Sequence, residues 1–245
     1  MLQNNDEQFA LLNSVFSPVS PIKRKDLFFG RRMQLEHVVD AINEIGQHAI
    51  LHGERGVGKT SLANIMYDSI TNLYPVKVTC NREDEFKTLW ERAFNELKFA
   101  RTTSGIELDV QHVRTIESIN NQIANTELVT PALVESLMRQ INGYKFLFIF
   151  DEFDNIRTKK IRSSFADLIK SLSDNVENTT IVLVGIGDNV EELIGIHRSL
   201  ERCLKQVKMP RMSDDEAVSI IDNGMKSLGF TISKNVKDKI LGFSS

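Results

Sequence analysis

At 245 residues, with 41% hydrophobic and 26% charged residues and only five prolines, the chain has the make-up of one packed α/β-sized core with room for a small appendage. That profile excludes a disordered or fibrous protein. A net charge of −3 argues against chain-wide attraction to nucleic acid, and the short basic run Ile22-Lys23-Arg24-Lys25 reads as a solvated edge of the domain. The longest apolar runs, such as Phe146 to Phe150, fall far short of the roughly 20 residues a membrane-spanning helix needs, so no membrane partner is expected. The start, Met-Leu-Gln-Asn-Asn-Asp-Glu, lacks the basic and apolar stretches of a secretory signal, which makes a cytoplasmic location the expectation. Cys80 and Cys203 fit that compartment as packing residues, and no Cys/His cluster has metal-ligand spacing.

In chain order, the first residues mix Asn, Asp, Ser and the prolines Pro18 and Pro21 with few apolar anchors, an extended lead-in assigned to 1–21. From Arg31 to Ile45 apolar residues recur at helical spacing until Gly46. His48 to Leu51 is a short buried strand ending in Gly53, and a helix follows Lys59 through Leu62, Ile65, Met66 and Ile70. Val76-Lys77-Val78-Thr79 alternates as a strand, and Asp84 to about Leu97 repeats as a helix. The stretch from about Phe99 to Gly143 reads as a mostly helical crossover with a surface insertion, including a helix opened by Pro131. Two strands buried on both faces follow, Phe146 to Phe150 and Ile181 to Val184, separated by a helix carrying Phe165, Leu168, Ile169 and Leu172. A last strand is expected at Gln206 to Met209. After Pro210 the pattern is helical only, opened by the capping box Ser213-Asp214-Asp215-Glu216.

Strand and helix alternate as a parallel sheet requires. The predicted fold is therefore α/β: a three-layer αβα sandwich with a central parallel five-stranded sheet over 22–210, followed by the start of a small helical lid over 211–245.

Two motifs carry chemistry. Gly53-Glu54-Arg55-Gly56-Val57-Gly58-Lys59-Thr60 matches G-x-x-x-x-G-K-[ST] between a buried strand and a helix, with Ser61 next in the helix. In such a loop the backbone N–H groups and the helix N-terminus converge on phosphate oxygens, a lysine spans the terminal phosphates and a hydroxyl ligates Mg²⁺. Those roles fall to Lys59 and Thr60, and the ligand to ATP. The second motif, Phe146 to Glu152, delivers two carboxylates at the end of a buried strand, where open α/β sheets bind ligands. Asp151 is the expected Mg²⁺ partner and Glu152 the base that orients and activates water.

These residues resemble the AAA+ P-loop ATPases, in particular the branch of replication initiators and transposition ATPases. The resemblance spans about Pro18 to the last residue. It implies that Phe28 to Arg31, with Phe29-Gly30-Arg31 as the motif, pack against the adenine, which makes Gly30 and Arg31 candidate nucleotide contacts. It implies a polar sensor after Ile181 to Val184; no Asn stands at the strand's immediate end, so the role falls to Asp188 or Asn189, Asp188 being preferred. In His197-Arg198-Ser199-Leu200-Glu201-Arg202 it implies an arginine finger acting on a neighbouring subunit, with Arg202 first and Arg198 in reserve, and hence a homo-oligomer. No residue matches the family's second sensor arginine.

The function so implied is hydrolysis of Mg-ATP to drive assembly or remodelling of a macromolecular partner. Two alternatives stay open: an ATP-dependent oligomeric switch or scaffold that recruits an effector, and an initiator or transposition regulator acting on DNA.

Overall fold

The computed structural model describes residues 11–16, 21–22, 30–70, 73–99, 110–141, 143–195 and 200–242. Helix α1 (Arg32–Asn43) leads into β1 (His48–Gly53), and α2 (Lys59–Ser69) follows the phosphate-type loop. Next come β2 (Tyr74–Thr79), α3 (Phe86–Phe99), α4 (Val110–Asn125) and α5 (Pro131–Met138). The chain then forms β3 (Phe146–Asp151), α6 (Lys159–Asn175), β4 (Thr179–Ile186), α7 (Val190–Ile194) and β5 (Leu204–Lys208). Two helices close it, α8 (Asp214–Ser227) and α9 (Lys234–Gly242).

The five strands pair in the order β2-β3-β4-β1-β5, and every pairing is parallel. The central strands are buried because helices cover both faces: β1 and β3 present no exposed residue, and β4 exposes only its last, Ile186. Alternation along each strand then feeds two cores. One holds Val76, Val78, Phe146, Phe148 and Phe150 with Trp90, Phe94 and Phe165, the other Ala49, Leu51, Leu147, Ile149 and Val182 with Leu62 and Met66. Trp90 anchors the aromatic side, its ring 5.2 Å from that of Phe148 and 5.4 Å from that of Phe150, at edge-on angles. The fold class read from the sequence is the one observed, a parallel five-stranded sheet between two helical layers.

Differences lie at element ends and in the crossover. β4 runs two residues further at each end than expected, because Thr179 and Thr180 continue the ladder opposite Phe146 and Leu147, and Ile186 stays opposite Gly53. β5 starts at Leu204 because its register is set by His48 at the foot of β1. The crossover contains the 16-residue helix α4, which the sequence left undelimited. The box at Ser213 forms as expected: its hydroxyl accepts from the Glu216 N–H while the Glu216 carboxylate accepts from the Ser213 N–H. Beyond it α9 packs on α8 but buries none of its residues, and Phe230 stays 55% exposed.

Candidate nucleotide site

Parallel strands bring all their carboxyl ends to one edge, and the two motifs meet there. Residues 53–60 leave β1 and turn into α2; Gly56 and Gly58 hold φ of 84° and 92°, a left-handed backbone that costs glycine little. Nothing lies within 4 Å of a Cβ placed on either, so the loop rims open space. Gly53 serves a different need: a Cβ there would sit 2.3 Å from the Met209 carbonyl, where the chain leaving β5 crosses the loop.

The resulting cleft has a volume of about 740 Å³. Of the predicted loop residues it is lined by Arg55, Gly56, Gly58, Lys59, Thr60 and Ser61, and Asp151 and Glu152 enter from the end of β3. The Thr60 hydroxyl donates to Asp151 Oδ1 at 3.3 Å, so the two residues expected to share a metal ion face each other. Lys59 is buried and its ammonium donates to the Gly53 and Glu54 carbonyls at 2.9 and 2.6 Å, closing the loop on itself. Burial pulls the Lys59 pKa below its ordinary value, against the opposing charges of Asp154 and Asp151.

Glu152 and Arg31 are the two non-glycine residues with positive φ among those described, at 56° and 57°. Such backbone costs energy and persists where surrounding structure enforces it. For Glu152 the αL turn lifts the side chain off the strand, and Asn155 Nδ2 donates to its Oε2 at 3.1 Å while also donating to the Cys80 carbonyl at 3.0 Å. Arg31 is 2% exposed: its guanidinium donates to the Val57 carbonyl at 3.2 Å and lies 3.6 Å from the Glu216 carboxylate of α8. Its own N–H donates to Glu216 at 3.0 Å. Partial burial pushes the Glu216 carboxyl up, but the Ser213 and Arg31 N–H groups and the Arg31 charge outweigh it, leaving it below the usual range. Arg31 thus ties the phosphate loop to the first helix after the sheet, and Gly30 lies against the same Glu216 side chain.

The remaining predicted residues stand elsewhere. Asp188 and Asn189 do not line the cleft; β4 offers Val184, Gly185 and Ile186 there, while Asn189 caps α7 by accepting from the Glu192 N–H at 3.0 Å. Arg202 pairs with Asp174 at 2.5 Å and is 63% exposed, at the amino end of β5. It is one strand length, roughly 20 Å, from its own cleft. Phe28, Phe29 and Arg198 lie outside the described residues, as do Lys23 to Lys25.

Sequence reasoning missed several cleft residues. Arg82, Asn155 and Asp154 line it, the last holding the Ile186 N–H at 2.8 Å, and Lys77 pairs with Asp151 from β2. Asp154 was legible only as part of an acidic run; Lys77 was legible as a lone charge on an alternating strand.

With the phosphate loop, the paired carboxylates and the parallel sheet in place, a family can be assigned. The model of the family described as Novel STAND NTPase 1 matches residues 21–242. The chain belongs to this family. As an nSTAND1 member it also shares its fold with solved structures. One is the Walker-type ATPase PABY2304 of Pyrococcus abyssi, with a TM-score of 0.61 at 16% identity over 95% of this chain and 66% of that one. Two others, each with a TM-score of 0.53, are the ORC1 protein of Aeropyrum pernix in complex with DNA, at 13% identity, and Cdc6p of Pyrobaculum aerophilum, at 17%. The nSTAND1 chain is covered to 88% in both and spans 53% of each of them. No curated protein matches it in sequence. The resemblance to AAA+ P-loop ATPases read from the motifs therefore holds for the fold. Among the described residues, no helix is long and apolar enough to cross a membrane.

Proposed function

We propose that the chain binds Mg-ATP in this cleft, hydrolyses it, and uses the cycle to drive assembly or remodelling of a macromolecular partner. One observation carries the reading: the hydroxyl of Thr60 and the carboxylate of Asp151 meet at 3.3 Å beside a glycine loop whose surroundings are open, with Glu152 at the same rim. A hydroxyl–carboxylate pair of oxygen donors, part-buried at the cleft, suits Mg²⁺, which takes oxygen ligands and shares them with phosphates. Bound there, Mg²⁺ would neutralise charge on the terminal phosphates.

The protein's own groups do the rest. Residues 54–60 offer backbone N–H groups and the N-terminus of α2 to the phosphates. Lys59 exchanges its two loop carbonyls for phosphate oxygens, so the binding energy includes the loss of those bonds. Glu152 leaves Asn155 to accept a proton from the attacking water. Gly30 and Arg31 border the base end, Arg31 through its backbone, since its side chain is engaged by Val57 and Glu216. Residues 22–210 form the nucleotide-binding unit and 211–245 part of a helical lid. Arg202 points away from its own site and serves a neighbouring copy.

The second reading, an ATP-set oligomeric switch, is favoured by the Arg31–Glu216 link: it couples the phosphate loop to α8, so nucleotide state can reach the lid without turnover. Calorimetry with ATP tests the shared premise, and single-turnover hydrolysis separates the two. Absence of ATP binding sinks both, whereas binding without turnover leaves the switch.

A further inference from the structure

Asp151 has a partner that the phosphate-loop chemistry does not require. Lys77 Nζ lies 2.9 Å from Asp151 Oδ2, while Oδ1 accepts from Thr60 and from the Glu152 N–H at 3.0 Å. Both oxygens are thus spoken for before any metal ion arrives. The geometry is fixed by the sheet: Lys77 pairs with Ile149, and Asp151 is two positions further along β3 on the same face, a diagonal neighbour within reach of a long side chain. The other face of β2, Val76 and Val78, packs in the aromatic core, so Lys77 cannot turn away.

The ammonium is also held from behind. Lys77 donates to Asn64 Oδ1 at 2.5 Å, and Asn64 donates to the Ile22 carbonyl at 3.4 Å. The Ile22 N–H in turn donates to Ser61 at 3.1 Å. The side chain is 17% exposed and that of Asp151 3%, so this is a poorly screened charge pair in which either charge alone would be costly.

We propose that Lys77 is a resident counter-cation for the metal-binding carboxylate and sets how strongly nucleotide binding depends on Mg²⁺. The inference rests on the ATP-binding reading above. With Lys77 in place, Asp151 carries little net field toward incoming phosphates, so ATP binds even without a divalent ion. The same ammonium weakens the pull of Asp151 on Mg²⁺. Removing it has two effects of one sense: metal-free binding weakens through repulsion, and metal-assisted binding strengthens. Both raise the ratio of the Kd in chelator to the Kd in Mg²⁺.

The experiment is titration of the full chain with a fluorescent ATP analogue, in EDTA and in saturating Mg²⁺, with thermal melts to verify folding. Lys77→Met should raise the ratio about tenfold or more, and Lys77→Arg should hold it near the wild-type value. If Lys77→Met melts without cooperativity, Lys77→Gln, which can still bond Asn64, is read in the same way. An unchanged ratio in a folded Lys77 variant overturns the proposal while leaving ATP binding intact. Failure of wild type to bind the analogue in either buffer removes the ATP-binding reading first, and this inference with it.

Discussion

The two ends of the sheet treat polar groups differently. At the amino ends, polar groups meet in local pairs: Arg202 with Asp174, Gln47 with the Arg202 carbonyl at 2.6 Å, and the buried Nδ1 of His48 accepting the Ile181 N–H at 2.9 Å, while His48 Nε2 is buried without a hydrogen-bond partner. At the carboxyl ends, the groups suited to a ligand are parked on one another: Lys59 on its own loop, Asp151 on Lys77, Glu152 on Asn155. The first kind of pairing has no better alternative within the molecule. In the second, Lys59 and Glu152 hold partners that a phosphate or a water molecule could displace, whereas Lys77 is itself held on Asp151 by Asn64, and both strained non-glycine backbones among the described residues sit on that side. The difference separates a frame from a site within one sheet.

If that contrast is right, the largest effect belongs to Glu152. Glu152→Gln keeps the hydrogen-bonding shape but cannot take a proton, so turnover should fall by roughly 10²- to 10⁴-fold with ATP affinity retained. Single-turnover hydrolysis with radiolabelled ATP measures it, and wild-type turnover in the variant would strike Glu152 from the mechanism. Next is Lys59→Ala, which removes the phosphate cation from a residue whose fold contacts are two loop carbonyls. Calorimetric ATP affinity should drop about 100-fold or more with the melting temperature little changed; unchanged affinity would show that the loop is not a phosphate cradle.

At the frame end the expected effect is on stability and its sign is set by burial. The pKa of His48 is lowered to about 3 by loss of solvation, against 6.5 for an ordinary histidine. Between those values the unfolded chain binds a proton that the folded one refuses, so stability falls as pH drops below about 6.5 and continues to fall toward 3. At pH 5 the loss is about 2 kcal/mol. His48→Leu should cost about 1–3 kcal/mol at pH 7.5, by orphaning the Ile181 N–H, yet show a flatter decline to pH 5. Urea titrations at the two pH values decide it; parallel declines in both proteins would locate the acid sensitivity elsewhere.

How much of this was legible in the sequence follows from range. The phosphate loop and the run Phe146 to Glu152 are local patterns, so strand, turn and carboxylates could be placed by number before any coordinates. Sheet order and strand ends could not, because Thr179 and Leu204 owe their pairing to Phe146 and His48, far away in sequence. The same holds for the ties that complete the site. Arg31 meets Glu216 across 185 residues, and Lys77 reaches Asp151 only because β2 lies beside β3. Asp188 was chosen as the first polar side chain after the strand; β4 runs on to Ile186, and Val184, Gly185 and Ile186 are the β4 residues that line the cleft.

The smallest effect in an isolated subunit, and the sharpest test of the contrast, is that of Arg202. An exposed ion pair of this kind contributes under about 1 kcal/mol, so Arg202→Ala should barely shift the melting temperature of a monomer and should leave ATP affinity unchanged. Its own cleft is a strand length away and cannot register the loss. A neighbouring cleft can, if copies associate with one subunit's amino-end edge against the next subunit's phosphate loop, since a guanidinium there would neutralise charge on the phosphoryl group being transferred. The defect should then appear only at concentrations where wild-type subunits associate by light scattering. Mixing gives the decisive comparison: Arg202→Ala still has its own Lys59 and Glu152, and Glu152→Gln still offers an arginine, so a mixture should regain part of the turnover that neither shows alone. Mixed oligomers without rescue, or full turnover by Arg202→Ala in the associated state, would return Arg202 to the frame, as the partner of Asp174 and nothing more.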